Sequence, residues 1–319
     1  MAVPPRRRTG RPRPAVAAVL VAALVLVAPA CLPMPPNSYD PTRFPAGEGP
    51  DLVRATTFMG LGAWWDVYDW SPTFTRTTPA RGVADLDRLA RAGVQVLYLQ
   101  TATTRHPDTV LDPALLRRIV VRAHALRMRV VGWYLPAFTD VGQDLARMTA
   151  AARTGVDGLG IDIESRALAD VALRSRRLVD EVRYLRRALP RLPLAAIPVT
   201  PVLWDELNRT WWPTFPYREL ARWVDVWMPM AYWSYRAAGS PYRDPYRYTT
   251  QSVLRLRRYT AVPWLPVHPI GGEAGAVRPA DVAEMQRAMV DTHAIGGSLY
   301  DDVVTPPSLW PYLRQFRRT

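Results

Sequence analysis

The sequence of 319 residues contains no lysine, one cysteine and four histidines, and these scarcities exclude several classes of function. A single cysteine excludes a disulfide framework within the chain and a cysteine-rich zinc site. The histidines (His106, His124, His268 and His293) are scattered and form no His-Glu-x-x-His pattern, so we expect no metal. A Gly-x-Ser-x-Gly nucleophile elbow and a Gly-rich phosphate loop are also absent, and we expect no cofactor.

Without lysine, all 41 basic residues are arginines, and against 28 acidic residues they give a formal net charge of +13. Together with abundant alanine and proline, this arginine usage is typical of a GC-rich genome. Arginines form a dense run only in the first 13 residues, and no nucleic-acid-binding motif occurs, so we expect no nucleic-acid partner. A hydrophobic content of 49% and a charged content of 22% indicate a globular protein, which we expect to be a monomer.

The first 30 residues have the three zones of an export signal. Five arginines precede an unbroken apolar run, Ala15 to Ala28, which is shorter than the ~20 residues that span a membrane. Ala28-Pro29-Ala30 then provides small residues at the −3 and −1 positions of a cleavage site. Cleavage there would remove five arginines and lower the formal charge from +13 to +8.

Cys31 follows the cleavage site directly, as the lipidated cysteine of a bacterial lipoprotein does. The alternative is ordinary secretion with an incidental cysteine. Residues 31–52 are rich in proline and indicate an extended tether between Cys31 and a folded domain of residues 53–319. We therefore expect an exported protein, with contact to a membrane only through a lipid on Cys31.

From residue 55 onward, short apolar runs alternate with amphipathic helical patterns, which predicts βα units around a parallel sheet. The clearest helical pattern covers Ala167–Leu189. Eight repeats with short loops favour an α/β fold of the closed (β/α)8, or TIM, barrel type. The predicted strands are Thr57–Ala63, Val94–Gln100, Val130–Leu135, Gly158–Ile163, Leu194–Val199, Val226–Tyr232, Trp264–His268 and Gly297–Asp301.

The fourth predicted strand ends in two acidic residues, Asp162 and Glu164. Side chains two apart on a strand share a face, and catalytic groups of such barrels lie where the strands end. Mutual repulsion raises the pKa of one member of a carboxylate pair, which suits a general acid near neutral pH. The alternative is an exposed pair that caps the next helix.

The segment Asp157-Gly-Leu-Gly-Ile-Asp-Ile-Glu164 resembles the strand-four signature of family 18 glycoside hydrolases, the chitinase-like proteins. Met230-Ala231-Tyr232 is similar to the Met-x-Tyr of their sixth strand. The resemblance implies that Glu164 is the general acid and that Asp162 orients an N-acetyl group of the substrate. It also implies that Tyr232 hydrogen-bonds the reacting acetamido group.

Several positions depart from the family pattern. Gly160 replaces the middle aspartate of the signature, and Trp233 replaces the aspartate that often follows the tyrosine. Strand three lacks the Ser-x-Gly-Gly pattern, and strand eight has Tyr300-Asp301-Asp302 where the family has tryptophan. If the acetamido group of the substrate does not act as the nucleophile, a second carboxylate is needed across the sugar. Candidates are Asp301, Asp302 and Glu273.

Aromatic side chains cluster at the predicted strand ends, where ring faces can stack on sugars. We expect a carbohydrate-binding role for seven residues: Trp64, Trp65, Trp133, Tyr134, Trp233, Tyr300 and Asp301. His268 ends the seventh predicted strand and is a further candidate, whereas His124 is expected to be structural. Trp211 and Trp212 are predicted to form a lid or to pack beneath one.

These features predict a glycoside hydrolase-like barrel that acts outside the membrane on a polysaccharide or cell-wall glycan. A noncatalytic carbohydrate-binding barrel is the alternative, and Gly160 is the residue that favours it. An exported barrel with a purely structural or interaction role is the third possibility.

Overall fold

Eight parallel strands form one sheet in the computed structural model, which describes residues 49–317. The hydrogen-bonded order is β6-β5-β4-β3-β2-β1-β8-β7, so strands that follow each other in sequence are neighbours. Their bounds are β1 Gly60–Trp65, β2 Val96–Gln100, β3 Arg129–Tyr134, β4 Gly158–Ile163, β5 Leu194–Pro198, β6 Val226–Trp227, β7 Ile270–Glu273 and β8 Gly296–Tyr300.

Isolated bridges join the two ends of this sheet. Trp227 pairs with Val267, and Met230 pairs with both Val199 and Ile270, all in parallel orientation. The main chain of Trp227 donates to the Pro266 carbonyl at 3.0 Å and accepts from His268 at 2.9 Å. The ring of strands is therefore closed, as predicted for a (β/α)8 barrel.

Helices follow the strands and cover the outside of the ring. Apolar residues of each long helix face the sheet; in α7, Leu178, Val182 and Leu185 are fully buried. The helices are α1 Leu52–Ala55, α2 Val67–Trp70, α3 Pro72–Thr75, α4 Asp85–Ala92, α5 Pro113–Ala125, α6 Val141–Ala152, α7 Val171–Ala188, α8 Tyr217–Ala221, α9 Pro245–Thr260, α10 Pro279–Asp291 and α11 Trp310–Leu313.

Prolines account for the largest shifts from the predicted strands. Strand β6 ends before Pro229, and the seventh strand begins after Pro269 instead of at Trp264, which lies in an exposed turn. Proline lacks the N–H that a ladder requires, so pairing in these segments is reduced to single bridges. By contrast, β4 has the predicted bounds.

A polar network occupies the interior of the ring below the predicted site. His268 is fully buried, and its Nδ1 lies 2.8 Å from the Phe58 carbonyl while its Nε2 lies 3.1 Å from Ser298 Oγ. The Trp64 indole donates to the same hydroxyl at 2.8 Å. Burial lowers the pKa of His268 to about 3, so the ring is neutral. His268 is therefore a packing residue and does not reach the mouth.

Two parts of the sequence prediction lie outside the described residues. The export signal of residues 1–30 and most of the tether, including Cys31, fall in this category. Within residues 49–317, no helix is long and apolar enough to cross a membrane.

Candidate active site

Asp162 and Glu164 lie at the carboxyl end of β4. Asp162 is in the strand, opposite Ile197 of β5, and is 7% exposed. Its Oδ1 has no hydrogen-bond partner among the described residues. Burial, and then the charge of Glu164, raise the pKa of Asp162 well above its ordinary value. Glu164 follows the strand, is partly exposed, and has a pKa raised by loss of solvent. Both pKa values are therefore shifted in the direction that favours the protonated form, and a ligand can reach the partly exposed Glu164.

Tyr232 lies on the other side of the same opening, just after the Met230 bridge. Burial raises the pKa of its phenol far above the usual range, and the charges of Glu164 and Asp162 follow as causes. Asp162 lies opposite Ile197 of β5, and Met230 bridges Val199 just after β5, so Asp162, Glu164 and Tyr232 lie at the ends of neighbouring strands. The structure thus brings together the three residues predicted to act in catalysis.

Gly160 leaves Asp162 without a carboxyl neighbour on the inner side of β4. A Cβ built on Gly160 would lie 2.6 Å from Ile197 Cδ1 and 3.3 Å from Trp133 Cβ. These two side chains therefore fill the space that the aspartate of the family pattern would occupy. Among residues 49–317, Glu164 is the only charged group that raises the pKa of Asp162.

A second acidic cluster consists of Asp66, Asp69 and Asp301, whose carboxylate oxygens lie within 4.8 Å of one another. Burial and the charge of Asp66 raise the pKa of Asp69 to about 9. Burial also raises the pKa of Asp301 to about 6, with a smaller contribution from Asp66. Asp301 also raises the pKa of Tyr232, which places this cluster beside the strand-four pair.

The acidic cluster has a structural role in helix α2. Asp66 Oδ1 accepts from the main chain of Tyr68 at 2.7 Å, and Asp69 Oδ2 accepts from the main chain of Asp66 at 3.0 Å. These bonds form a capping box at the start of α2. The capping bonds account for Asp66 and Asp69, whereas Asp301 accepts from the main chain of Val304 at 3.1 Å, and the oxygens of all three are close enough to hold a cation. Asp66 and Asp69 were not predicted as site residues, because aromatic residues dominate the same loop in the sequence.

The other proposed second carboxylates differ from Asp301. Asp302 is buried, contacts both Arg81 and Arg88 at 2.6 Å, and accepts from the Trp65 indole at 2.9 Å. Its charge is neutralised, so Asp302 is a structural ion-pair residue and not a candidate base. Glu273 ends β7 and hydrogen-bonds Tyr235, a half-exposed phenol whose pKa is about 12, raised by burial first. The ring centroid of Tyr235 is 5.8 Å from that of Tyr232, so Glu273 lies one side chain away from Tyr232.

Most of the aromatic residues predicted to bind sugar are buried in packing. Trp64 stacks on Tyr98 with ring centroids 4.3 Å apart, and the Tyr134 hydroxyl donates to Asp144 at 2.6 Å. Tyr300 is the exception, because it is partly exposed and its ring centroid is 6.2 Å from that of Tyr232. The side chains that are at most 5% exposed are Trp64, Trp65, Trp133, Tyr134 and Trp233.

Trp211 and Trp212 lie between β5 and α8. Trp212 is buried against Phe138, and its indole donates to Ser175 Oγ at 2.9 Å. Trp211 is partly exposed, with the Arg166 guanidinium 5.6 Å from its ring centroid. The two predicted arrangements were a lid and packing beneath one. Trp212 is packed in the interior, while Trp211 is partly open to solvent.

A cavity of about 760 Å³ lies beside the site, between the segments that follow β6 and β7. Its lining includes Trp233, Ser234, Arg243 and Asp281. Trp233 and Ser234 directly follow Tyr232, so the cavity adjoins the predicted catalytic residues along the chain. The volume is in the range of small-molecule binding pockets.

Comparison with known proteins shows the fold of the chain. No protein-family model and no curated protein matches it. Among solved structures, the spore cortex-lytic enzyme SleL of Bacillus cereus is 11% identical, with a TM-score of 0.60 over 82% of this chain and 74% of that one.

Two chitinases are similar in the same way. A class V chitinase from Pseudomonas fluorescens is 9% identical, with a TM-score of 0.59 over 81% of this chain and 99% of that one. A chitinase from Chromobacterium violaceum is 12% identical, with a TM-score of 0.53 over 81% and 98%. The protein therefore has the TIM-barrel fold that is found in chitinases and SleL.

Proposed function

We propose that the protein is a glycoside hydrolase that acts outside the cytoplasm on a polysaccharide or cell-wall glycan. The observation that carries the proposal is the convergence of Asp162, Glu164 and Tyr232 at the mouth of a barrel with the chitinase fold. The names of the structural neighbours, chitinases and a cortex-lytic enzyme, support a glycan as substrate.

Glu164 would act as the general acid. Burial keeps its proton at a higher pH than for an exposed glutamate, and its partial exposure lets a glycosidic oxygen approach. As the bond between the anomeric carbon and this oxygen breaks, the oxygen keeps the electron pair and takes the proton from Glu164. The leaving sugar departs as a neutral alcohol.

The positive charge that develops on the anomeric carbon can be stabilised in two ways. If the sugar carries an N-acetyl group, its own carbonyl oxygen can attack while Asp162 and Tyr232 orient it, as the family resemblance implies. Otherwise a carboxylate across the ring must attack this carbon or deprotonate an attacking water, and Asp301 is the best candidate because it lies near Tyr232 and has a pKa of about 6, raised by burial. In each route a water oxygen finally bonds to the anomeric carbon, and a proton of that water passes to a carboxylate of the site.

The enzymatic role is tested by Glu164→Gln, which keeps the shape of the side chain and removes the acid. We expect turnover of chitin oligosaccharides or peptidoglycan fragments to fall by a factor of roughly 10² to 10⁴, while binding of the same glycans survives. Glu219→Gln, on the exposed surface of helix α8, is the matched control and should leave turnover unchanged.

A noncatalytic carbohydrate-binding barrel is the second candidate, and the closed space at Gly160 is the observation that favours it. In that case the native protein would bind glycans without cleaving any of them, and Glu164→Gln would have no turnover to remove.

Lipidation of Cys31 is a separate proposal. Mass spectrometry of the mature N-terminus would detect diacylglycerol on Cys31 or show a free thiol.

A further inference from the structure

The chain enters the barrel at the end opposite the candidate active site. The main chain of Gly49 donates to the Arg222 carbonyl at 2.7 Å, and that of Asp51 donates to Asp225 Oδ1 at 3.3 Å. Arg222 and Asp225 directly precede β6, whose other end leads to Tyr232. The described part of the chain therefore begins at the amino-terminal face of the barrel.

This face is strongly basic. The entry segment 49–59 and the connections from helices to strands (91–95, 125–128, 152–157, 187–193, 221–225, 258–266, 291–295 and 314–317) contain ten arginines and four aspartates. We call these segments the basic face. Arg127, Arg153 and Arg191 are exposed, and within residues 49–317 none of them pairs with a carboxylate.

The aspartates of the basic face offset little of its charge. Asp225 is fully buried and contacts Arg54 at 2.8 Å and Arg186 at 2.6 Å, so it is already neutralised within the fold. Asp157 accepts from the main chain of Val130 at 2.7 Å, beside His124. The guanidinium groups of Arg127, Arg153 and Arg191 therefore present positive charge to solvent, with no ion-pair partner among residues 49–317.

Exposed apolar side chains lie on the same face. Val53 is 80% exposed, Leu52 is 62% exposed and Trp264 is 45% exposed. Leu52 and Val53 form the exposed side of α1, which Arg54 ties to Asp225, and Trp264 precedes the Val267 bridge to β6. Apolar and indole side chains surrounded by arginine are typical of surfaces that rest on a lipid interface.

We propose that the basic face docks on an anionic bilayer surface, with the mouth of the barrel directed away from it. Charge complementarity and the apolar residues favour lipid as the occupant. The length of chain between Cys31 and this face is consistent with the same occupant. From Cys31 to Gly49 an extended chain spans at most about 65 Å, so a lipid on Cys31 would keep this face close to the membrane. The docking does not require the glycosidase activity, and each can fail without the other.

The test uses the mature chain, residues 31–319 with Cys31→Ser, so that no lipid contributes to binding. Partition onto vesicles of phosphatidylglycerol and phosphatidylcholine is compared with partition onto phosphatidylcholine alone. We expect the anionic vesicles to bind the protein, and higher ionic strength to weaken that binding. A soluble poly(glycerol phosphate) chain serves as the second anionic probe.

Charge reversal locates the binding surface. An arginine near an anionic surface contributes about fivefold to partition, so R127E/R153E/R191E should weaken binding by about 100-fold or more. The control R117E/R118E/R176E makes the same charge change at exposed positions in the first halves of α5 and α7, near the mouth. It should retain most of the binding, and both variants should melt like the parent chain.

The apolar contribution has a separate readout. At high salt, where the arginines are screened, V53S/W264A should still lower the residual partition. The proposal is wrong if anionic vesicles are not preferred, or if the two triple variants lose binding equally. Binding of poly(glycerol phosphate) without binding of vesicles would also overturn it and assign the basic face to an anionic wall polymer.

Discussion

Glu181 of helix α7 provides the sharpest test of the structure, because it is an acid buried without a partner. The side chain is fully buried, and neither carboxylate oxygen has a hydrogen bond among the described residues. Burial, and then the charge of Asp144, raise the pKa of Glu181 from 4.5 to about 9, against a smaller opposing effect of Arg177. Folded protein therefore keeps this proton across the neutral range.

The consequence is a stability that falls as pH rises. Between pH 4.5 and 9 the unfolded chain releases the Glu181 proton while the folded chain retains it. Each pH unit in this window costs up to about 1.4 kcal/mol of unfolding free energy, or about 3 kcal/mol from pH 4.5 to pH 7. Glu181→Gln resembles the protonated acid and cannot titrate, so its stability should lack this loss.

Urea denaturation at pH 5, 6, 7 and 8 measures the effect. We expect Glu181→Gln to match the native protein near pH 5 and to exceed it by a margin that widens with pH. Asp180→Asn, at the exposed neighbouring position of the same helix, is the control and should follow the native pH dependence. Parallel curves for Glu181→Gln and the native protein would refute a buried, protonated Glu181.

Three further predictions concern the mouth of the barrel. Tyr232→Phe should lower kcat by roughly 10- to 100-fold with stability unchanged, because it removes one hydroxyl from the site. A variant that loses activity because it is partly unfolded would contradict this. If Asp301 is the base, activity should rise with pH through about 6, and Asp301→Asn should abolish that rise in a pH–rate profile. Asp302→Ala should cost about 3–5 kcal/mol in urea unfolding, because it leaves Arg81 and Arg88 unpaired.

The sequence predicted the barrel and its fourth strand because those features are local. An apolar run broken only by glycines and Asp162 defines β4, and its bounds follow directly. Strands six and seven were harder, because Pro229, Pro266 and Pro269 remove ladder donors while the residues around them still pair through single bridges. Hydrophobic pattern alone does not reveal where a proline divides a strand.

The site itself could be predicted only in part. Asp162, Glu164 and Tyr232 follow a recognisable spacing, whereas Asp66, Asp69 and Asp301 become a cluster only when β1 and β8 pair. Whether an aromatic residue at a strand end is open to a ligand depends on what covers it. Trp65 is covered, since its indole is bound to Asp302, and Tyr300 is partly open.

The net positive charge of the chain belongs largely to a different surface from the site. Around the mouth, Asp66, Asp69, Asp162, Glu164 and Asp301 raise one another's pKa or are raised by burial, and several of them keep protons for that reason. The unpaired arginines of the basic face lie at the other end of the strands. An anionic ligand would therefore be attracted to the arginines at the base of the barrel and not to the acidic groups of the cleft.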